Sequence, residues 1–359
     1  MAPHRVRSSS ALTYRFYGIL DVVLHSGHAG WRRYFDNEYA RISDDGTTTT
    51  ASLRVDVHVT KRPPKPEPGD IVRTDRFKGL FRYSYIVRGI DTDHVSIWFR
   101  HHPVDRVYMN AIGVYLQAQV LEPIVYAKLL EEDVLLLHAG GVASTEKGFL
   151  LPAYGGTGKT TLSMSLMAAG YKLLGDDLLF VELATGRVHP YARPLHVFTY
   201  NIRNLVNARI PTKYQVAVYT KNVLRWVLER VLRREFLIST RIHADELYSG
   251  DVFAHAVPYT AIGFLRKTGP AVEQVRITAE NVDELADAIA ASEDLNDSML
   301  AILGDDADRA AAFVALEHDV IVRLLVQFDR LLYVNTRAMD LAHPDQLVAE
   351  LERGSLANA

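Results

Sequence analysis

The stretch "AYGGTGKTTL", Ala153–Leu162, decides how the rest of the chain is read. Its first eight residues, Ala153 to Thr160, fit the phosphate-loop pattern once Ala is allowed at a position usually held by Gly. Gly155, Gly156 and Gly158 let the backbone turn tightly and aim its N–H groups inward, while Thr160 and Thr161 open a helix whose N-terminus favours anions. The candidate cradle is therefore Ala153, Tyr154, Gly155, Gly156, Thr157, Gly158, Lys159, Thr160 and Thr161. A chance glycine turn would not need the apolar strand "GFLL" before it and the amphipathic run ended by Gly170 after it.

In such a loop Lys159 reaches the β- and γ-phosphates of ATP and the Thr160 hydroxyl ligates Mg²⁺. Two acids follow in "LLGDD": Asp176 and Asp177 lie 17 and 18 residues beyond Lys159, on the expected return strand "YKLLGDDLLFVEL". A helix of about three turns and a return strand bring such acids back beside the phosphates. Neighbouring carboxylates on a strand point to opposite faces, so one can bind Mg²⁺ while the other accepts a proton. A second Asp-Asp pair, Asp305-Asp306, sits in residues 280–310, where ten acids meet one Arg, and reads as surface. His138 ends "VLLLH", 21 residues before Lys159. Alone, a His after an apolar strand is more often structural than catalytic.

A chain of 359 residues, 48% of them hydrophobic, can bury cores for about two domains. The absence of cysteine excludes disulfides, thiolate-bound metal and a cysteine nucleophile, and suits a reducing cytoplasm. A net charge of -3 gives no global attraction to nucleic acid or anionic membrane, and no apolar run reaches the length of a membrane span. The expectation is a cytoplasmic protein with no nucleic-acid and no membrane partner.

Residues 11 to 100 alternate with period two, as in "SLRVDVHVT", and predict an antiparallel sheet; "KRPPKPEPGD", Lys61–Asp70, is a loop within it. Helical spacing begins in "DRVYMNAIGVYLQAQVLEPIVYAKLLEED", with Pro123 in the first turn of a second helix, which puts the domain boundary near residue 105. Beyond it come a strand "VLLLHAGGVAS", a strand "FLLPAY", the loop and its helix, a basic helix at 221–235, strands "AIGFLRK" and "RLLYVNTR", and a closing helix "HPDQLVAELERG". The predicted class is α/β: a β-rich domain over 1–105 and a nucleotide-binding domain over 106–359.

His138, loop 153–160 and the Asp176-Asp177 pair together resemble, in order and spacing, the catalytic domain of HPr kinase/phosphorylase. That bacterial enzyme phosphorylates a serine of a phosphocarrier protein, and related serine kinases occur in peptide natural-product pathways. The resemblance is strongest from Leu135 to Glu182. It implies an HPr kinase-like catalytic domain behind the smaller β-rich one, ATP and Mg²⁺ as cofactors, and a peptide or protein acceptor with a Ser or Thr hydroxyl. It also implies that His138 and Lys159 are site residues, Asp176 the base and Asp177 a metal-side carboxylate with Thr160. The region "LATGRVHPYARPLHVFTYNIRNLV" lacks the family's Glu-x-Arg-Gly-Leu-Gly-type signature, so neither the phosphocarrier substrate nor the reverse reaction carries over. Homo-oligomerisation stays open. So do a kinase for a small hydroxylated metabolite and a nucleotide-binding module without transfer.

Arg193 in "ARPLH" is a weaker candidate for contacting phosphate. Residues Lys221–Arg241 hold six basic and two acidic residues, and read either as a packed helix with a solvated basic face or as a docking surface for an acidic acceptor. His101, His102, His189, His196, His243 and His255 lack the spacing of a helical zinc pair, and no Gly-x-Ser-x-Gly elbow occurs.

Overall fold

The computed structural model describes residues 11–42, 51–77, 81–102, 105, 109–197, 210–232, 240–340 and 344–353. The chain forms two compact units, one of residues 1–133 with 294–317 and one of residues 134–293 with 318–359. The division thus falls at Asp133 rather than near residue 105, because the helices after residue 109 belong with the first unit.

The first unit is built on a six-stranded sheet of β1 (Ala11–Phe16), β2 (Leu20–His25), β3 (Leu53–Thr60), β4 (Ile71–Phe77), β5 (Phe81–Arg88) and β6 (His94–Arg100), ordered 1-2-3-6-5-4. The expected antiparallel sheet is only partly found, since β2–β3 and β3–β6 are parallel. Parallel neighbours need a crossover, and helix α1 (Ala29–Tyr39) supplies it between β2 and β3. Its buried Trp31, Tyr34, Phe35, Glu38 and Tyr39 follow helical spacing. The same aromatic richness suggests strand when read without that period. Trp31 meets Phe99 of β6 edge-on at 5.8 Å, which seats the helix on the sheet. Lys61–Asp70 is extended and largely exposed, as its prolines require.

Helices α2 (Met109–Leu116) and α3 (Glu122–Glu131) are joined by a wider turn at Gln117–Leu121, with Pro123 in the first turn of α3 as expected. Helix α4 (Lys159–Ala168) follows the glycine-rich loop, and α5 (Thr212–Leu232) begins nine residues earlier than the expected basic helix, whose residues 233–235 lie outside the described ones. The acidic stretch forms α6 (Val282–Ala290) and α7 (Asp294–Leu303), followed by α8 (Ala307–Leu325) and α9 (Asp345–Arg353). In the first unit Arg73 caps the C-terminus of α7, donating to the Ile302 and Leu303 carbonyls at 2.8 and 2.6 Å.

The second unit is a mixed α/β structure whose long strand β15 (Val257–Arg266) pairs in parallel with β9 (Gly148–Pro152) and β17 (Arg330–Asn335). Strand β16 (Val272–Arg276) completes that edge beside β17. Two segments expected as single strands are each interrupted. "VLLLHAGGVAS" becomes β7 (Val134–Leu137) and β8 (Ala139–Ala143), and "YKLLGDDLLFVEL" becomes β10 (Lys172–Gly175) and β11 (Leu179–Glu182). Leu137 pairs with Leu179 and Gly141 with Gly175, both in one antiparallel register, so the two breaks lie opposite each other. Strand β12 (Arg187–His189) links β11 to β15. The short pair β13 (Leu195–Val197) and β14 (Thr240–Ile242) packs its apolar side against α4 and α5.

Helix α4 lies close over the break. A Cβ on Gly140 would stand 3.0 Å from Ser163 Oγ, whereas one on Gly155 would meet nothing within 4 Å. Gly140→Val is therefore expected to lower stability by about 1–3 kcal/mol through overpacking. Gly155→Ala should stay within about 0.5 kcal/mol of the parent. Urea denaturation of the two variants beside the parent checks the contrast.

Candidate functional site

The loop after β9 is an extension of the sheet that turns away from it. Ala153 still bridges in parallel to Leu265, and its methyl is buried in the core with Leu162 and Leu332. A side chain at this position is thus accommodated, which accounts for Ala where the pattern usually has Gly. Gly156 and Gly158 take φ of +71° and +102°, the left-handed region that favours glycine, and Gly158 caps α4. Thr157 donates its hydroxyl to the Tyr154 carbonyl at 2.7 Å, and Thr336, just after β17, donates to the Thr157 carbonyl at 2.5 Å. Tyr154, Gly155 and Gly156 are exposed at the rim, and Lys159 and Thr161 are buried.

Lys159 Nζ donates to the Ala153 carbonyl at 2.8 Å and lies 2.9 Å from His138 Nε2. His138 occupies the break between β7 and β8, Asp176 and Asp177 the break between β10 and β11, so His138 and Asp176 reach the N-terminus of α4 and Asp177 lies beside His138. Expected within a strand, both acids lie at its interruption, and they still diverge. Thr160 Oγ1 donates to Asp176 Oδ2 at 2.8 Å, whereas Asp177 Oδ1 lies 3.4 Å from His138 Nε2.

His138 is held by groups that had no sequence signal. Its backbone N–H meets both Glu293 carboxylate oxygens at 2.8 and 3.0 Å, and its Nδ1–H donates to the Ser292 carbonyl at 2.6 Å. Glu293 and Ser292 come from the acidic stretch read as surface, yet both are buried. Asp305 in the same stretch is exposed, and Asp306 pairs with Arg309 at 3.1 Å. The Nδ1–H bond fixes the ring, leaving Nε2 to accept from Lys159 when neutral or to donate to Asp177 when protonated.

The electrostatics separate the two acids. Burial, with repulsion from Asp177, pushes the Asp176 carboxyl up to about 7 against the opposing pull of Thr160 and Lys159. Burial also works against ionised Asp177, but His138 outweighs it, with Arg193 and His196 adding, and holds that carboxyl well below its usual range. Burial, the largest influence, and Lys159 would lower His138, but the hydrogen bond to Asp177 together with the charges of Asp177 and Glu293 outweighs them and raises it. The Asp177 side chain is 47% exposed, so it is the acid a second molecule can touch.

Among the described residues no three or more His, Asp or Glu side chains surround a common point. A Mg²⁺ held by a carboxylate, a hydroxyl and phosphate oxygens needs no such cluster. The fit lies in Asp176, whose buried Oδ1 has no hydrogen-bond partner while its Oδ2 already meets the Thr160 hydroxyl. Among the described residues no helix is long and apolar enough to cross a membrane. Comparison with protein-family models finds no matching family, and comparison with curated proteins finds no match.

Because Asp176 is raised from 3.8 to about 7, the folded chain keeps a proton that the unfolded chain releases. The associated stability is complete below the unfolded value and is lost as pH rises through about 7. Asp176→Asn should therefore gain on the parent by about 1.4 kcal/mol per pH unit above about pH 5, levelling off near neutrality. Thermal or urea unfolding of both proteins across that range measures it; a constant difference would contradict the raised carboxyl.

Proposed function

We propose that this chain transfers the γ-phosphoryl group of ATP to a Ser or Thr hydroxyl of a peptide or protein. The observation that carries the reading is the meeting of Lys159, His138, Thr160, Asp176 and Asp177 at the glycine-capped N-terminus of α4. Loop N–H groups and Lys159 bind and orient the polyphosphate, since a helix N-terminus and an ammonium both favour it. Thr160 and Asp176 would hold Mg²⁺, which when bound neutralises charge on the β- and γ-oxygens.

The contacts favour exchanging the two aspartates relative to the family assignment. Asp176 is buried and tied to Thr160, as befits the metal side, whereas half-exposed, ionised Asp177 faces outward beside His138. In the proposed step a bond forms between the acceptor oxygen and the γ-phosphorus, the bond to the β,γ-bridging oxygen breaks, and the hydroxyl proton passes to Asp177. A carboxylate of low basicity suffices, because such transfer depends mainly on positioning and charge stabilisation. His138, fixed by Ser292 and Glu293, keeps Asp177 aimed.

Incubation with γ-labelled ATP, Mg²⁺ and Ser-containing peptides tests the reading. Lys159→Ala should abolish labelling, and Asp177→Asn should lower kcat by about 10²–10⁴-fold while nucleotide still binds. Asp176→Asn should raise the Mg²⁺ concentration required. Nucleotide binding with no labelled product from any acceptor would make the chain a binding module instead, and full activity in Asp177→Asn would return the base to Asp176.

A further inference from the structure

Residues 183–244 hold eleven Lys and Arg against two Glu, a surplus of nine positive charges in a chain whose net charge is -3. Of the described residues in this basic excursion, those of β13, β14 and α5 are packed against α4. Leu195 and Val197 of β13 and Ile242 of β14 are buried with Met164 and Met167 of α4 and Val218 of α5. Alternation along the strands then puts His196 and Arg241 on the opposite side, where they are direct cross-strand neighbours. Arg193 precedes β13 in a segment tied to β10, Tyr191 N–H donating to the Leu174 carbonyl at 2.6 Å, two residues before Asp176.

The charges are felt at Asp177. Arg193 and His196 both act on Asp177. Burial first, with Arg241, Arg193 and Lys221 adding and Asp177 opposing, drives the His196 ring down to about 4, so at neutral pH it is uncharged among cations. Farther out, α5 exposes an apolar stripe at spacings of three and four: Val216 60%, Tyr219 53%, Val223 61% and Trp226 59%. Lys213 is 69% exposed on the same helix and pairs with Glu246 at 3.5 Å, and the exposed Arg230 guanidinium lies 5.7 Å from the Trp226 ring.

We propose that β13, β14 and α5 form the docking surface for the acceptor, and that the acceptor presents an acidic peptide segment carrying apolar side chains among its acids. The inference rests on the phosphoryl-transfer reading for the word acceptor, and on charge complementarity for the chemistry. Mixed aliphatic and basic contacts favour a peptide over nucleic acid, to which the valines offer nothing. A second copy of the chain would bring the exposed Arg230 and Lys213 of each α5 together, which like charge opposes.

The test is fluorescence anisotropy of the full chain with a fluorescein-labelled peptide of Glu and Leu around a single Ser, a matched Lys and Leu peptide, and an oligouridylate. The acidic peptide should bind, and the combined Lys213→Glu and Arg230→Glu variant should weaken it about tenfold or more. Val223→Ser with Trp226→Ser should weaken it as well. All four side chains are exposed, so circular dichroism and the affinity for a fluorescent ATP analogue should be unchanged. Equal binding of the Lys peptide, stronger binding of the oligouridylate, or indifference to charge reversal would overturn the inference. If the acidic peptide binds as described but no acceptor is ever labelled, the transfer reading fails and the docking surface stands. If labelling proceeds with an affinity blind to these charges, only the docking inference fails.

Discussion

The second unit depends on one antiparallel ladder that holds its register while losing its hydrogen bonds in the middle. Leu137 opposite Leu179 and Gly141 opposite Gly175 belong to the same pairing, and between them His138, Asp176 and Asp177 are released from it. A regular ladder would spend the backbone groups of these residues on each other and send their side chains to alternating faces. The break instead gives the His138 N–H to Glu293 and turns one acid toward Thr160 and the next toward His138. Gly140 allows α4 to lie against the gap, so the loop and the acids meet without a long connecting segment.

Polar burial of this kind survives only when its groups are paired, and here most are. Lys159 has a carbonyl and an imidazole, His138 a carboxylate, a carbonyl and two charged neighbours, and Thr157 a place in a chain of hydroxyl-to-carbonyl bonds from Thr336 to Tyr154. The parallel strands β9, β15 and β17 all run toward this end of the sheet, where ligands of α/β units are commonly held. Asp176 Oδ1 is an exception, a buried carboxylate oxygen without a hydrogen-bond partner, and its cost appears as a carboxyl raised to about 7. A cation beside Thr160 would relieve that cost.

Much of this was legible in the sequence because it is local. The glycines at 155, 156 and 158 announce a turn, Lys159 and Thr160 follow at fixed spacing, and the strand before and the helix after are short-range patterns. Pro123 marked the start of α3 for the same reason. What was missed is non-local or depends on choosing a period. Glu293 stands 155 residues from His138 in a stretch of acids, and nothing in its neighbourhood tells a buried hydrogen-bonded carboxylate from a solvated one. The aromatic residues of 29–39 fit strand propensity, and only their spacing of three and four makes them a crossover helix that turns two strand pairs parallel. The interruptions at 138 and 176–178 left no mark because apolar residues flank them on both sides.

The separation of the aspartates has a consequence for how such a site can be selective. Asp176 is enclosed with the loop, so its surroundings are set by the fold and suit whatever lies against Thr160. Asp177 lies on the side of the basic excursion, within the field of Arg193. Under the proposed transfer, an acidic acceptor segment would be favoured over a neutral hydroxyl compound by the positive field on that side. In that proposed reading, the preference would act before any proton moves and would select among hydroxyls by what surrounds them rather than by the hydroxyl itself.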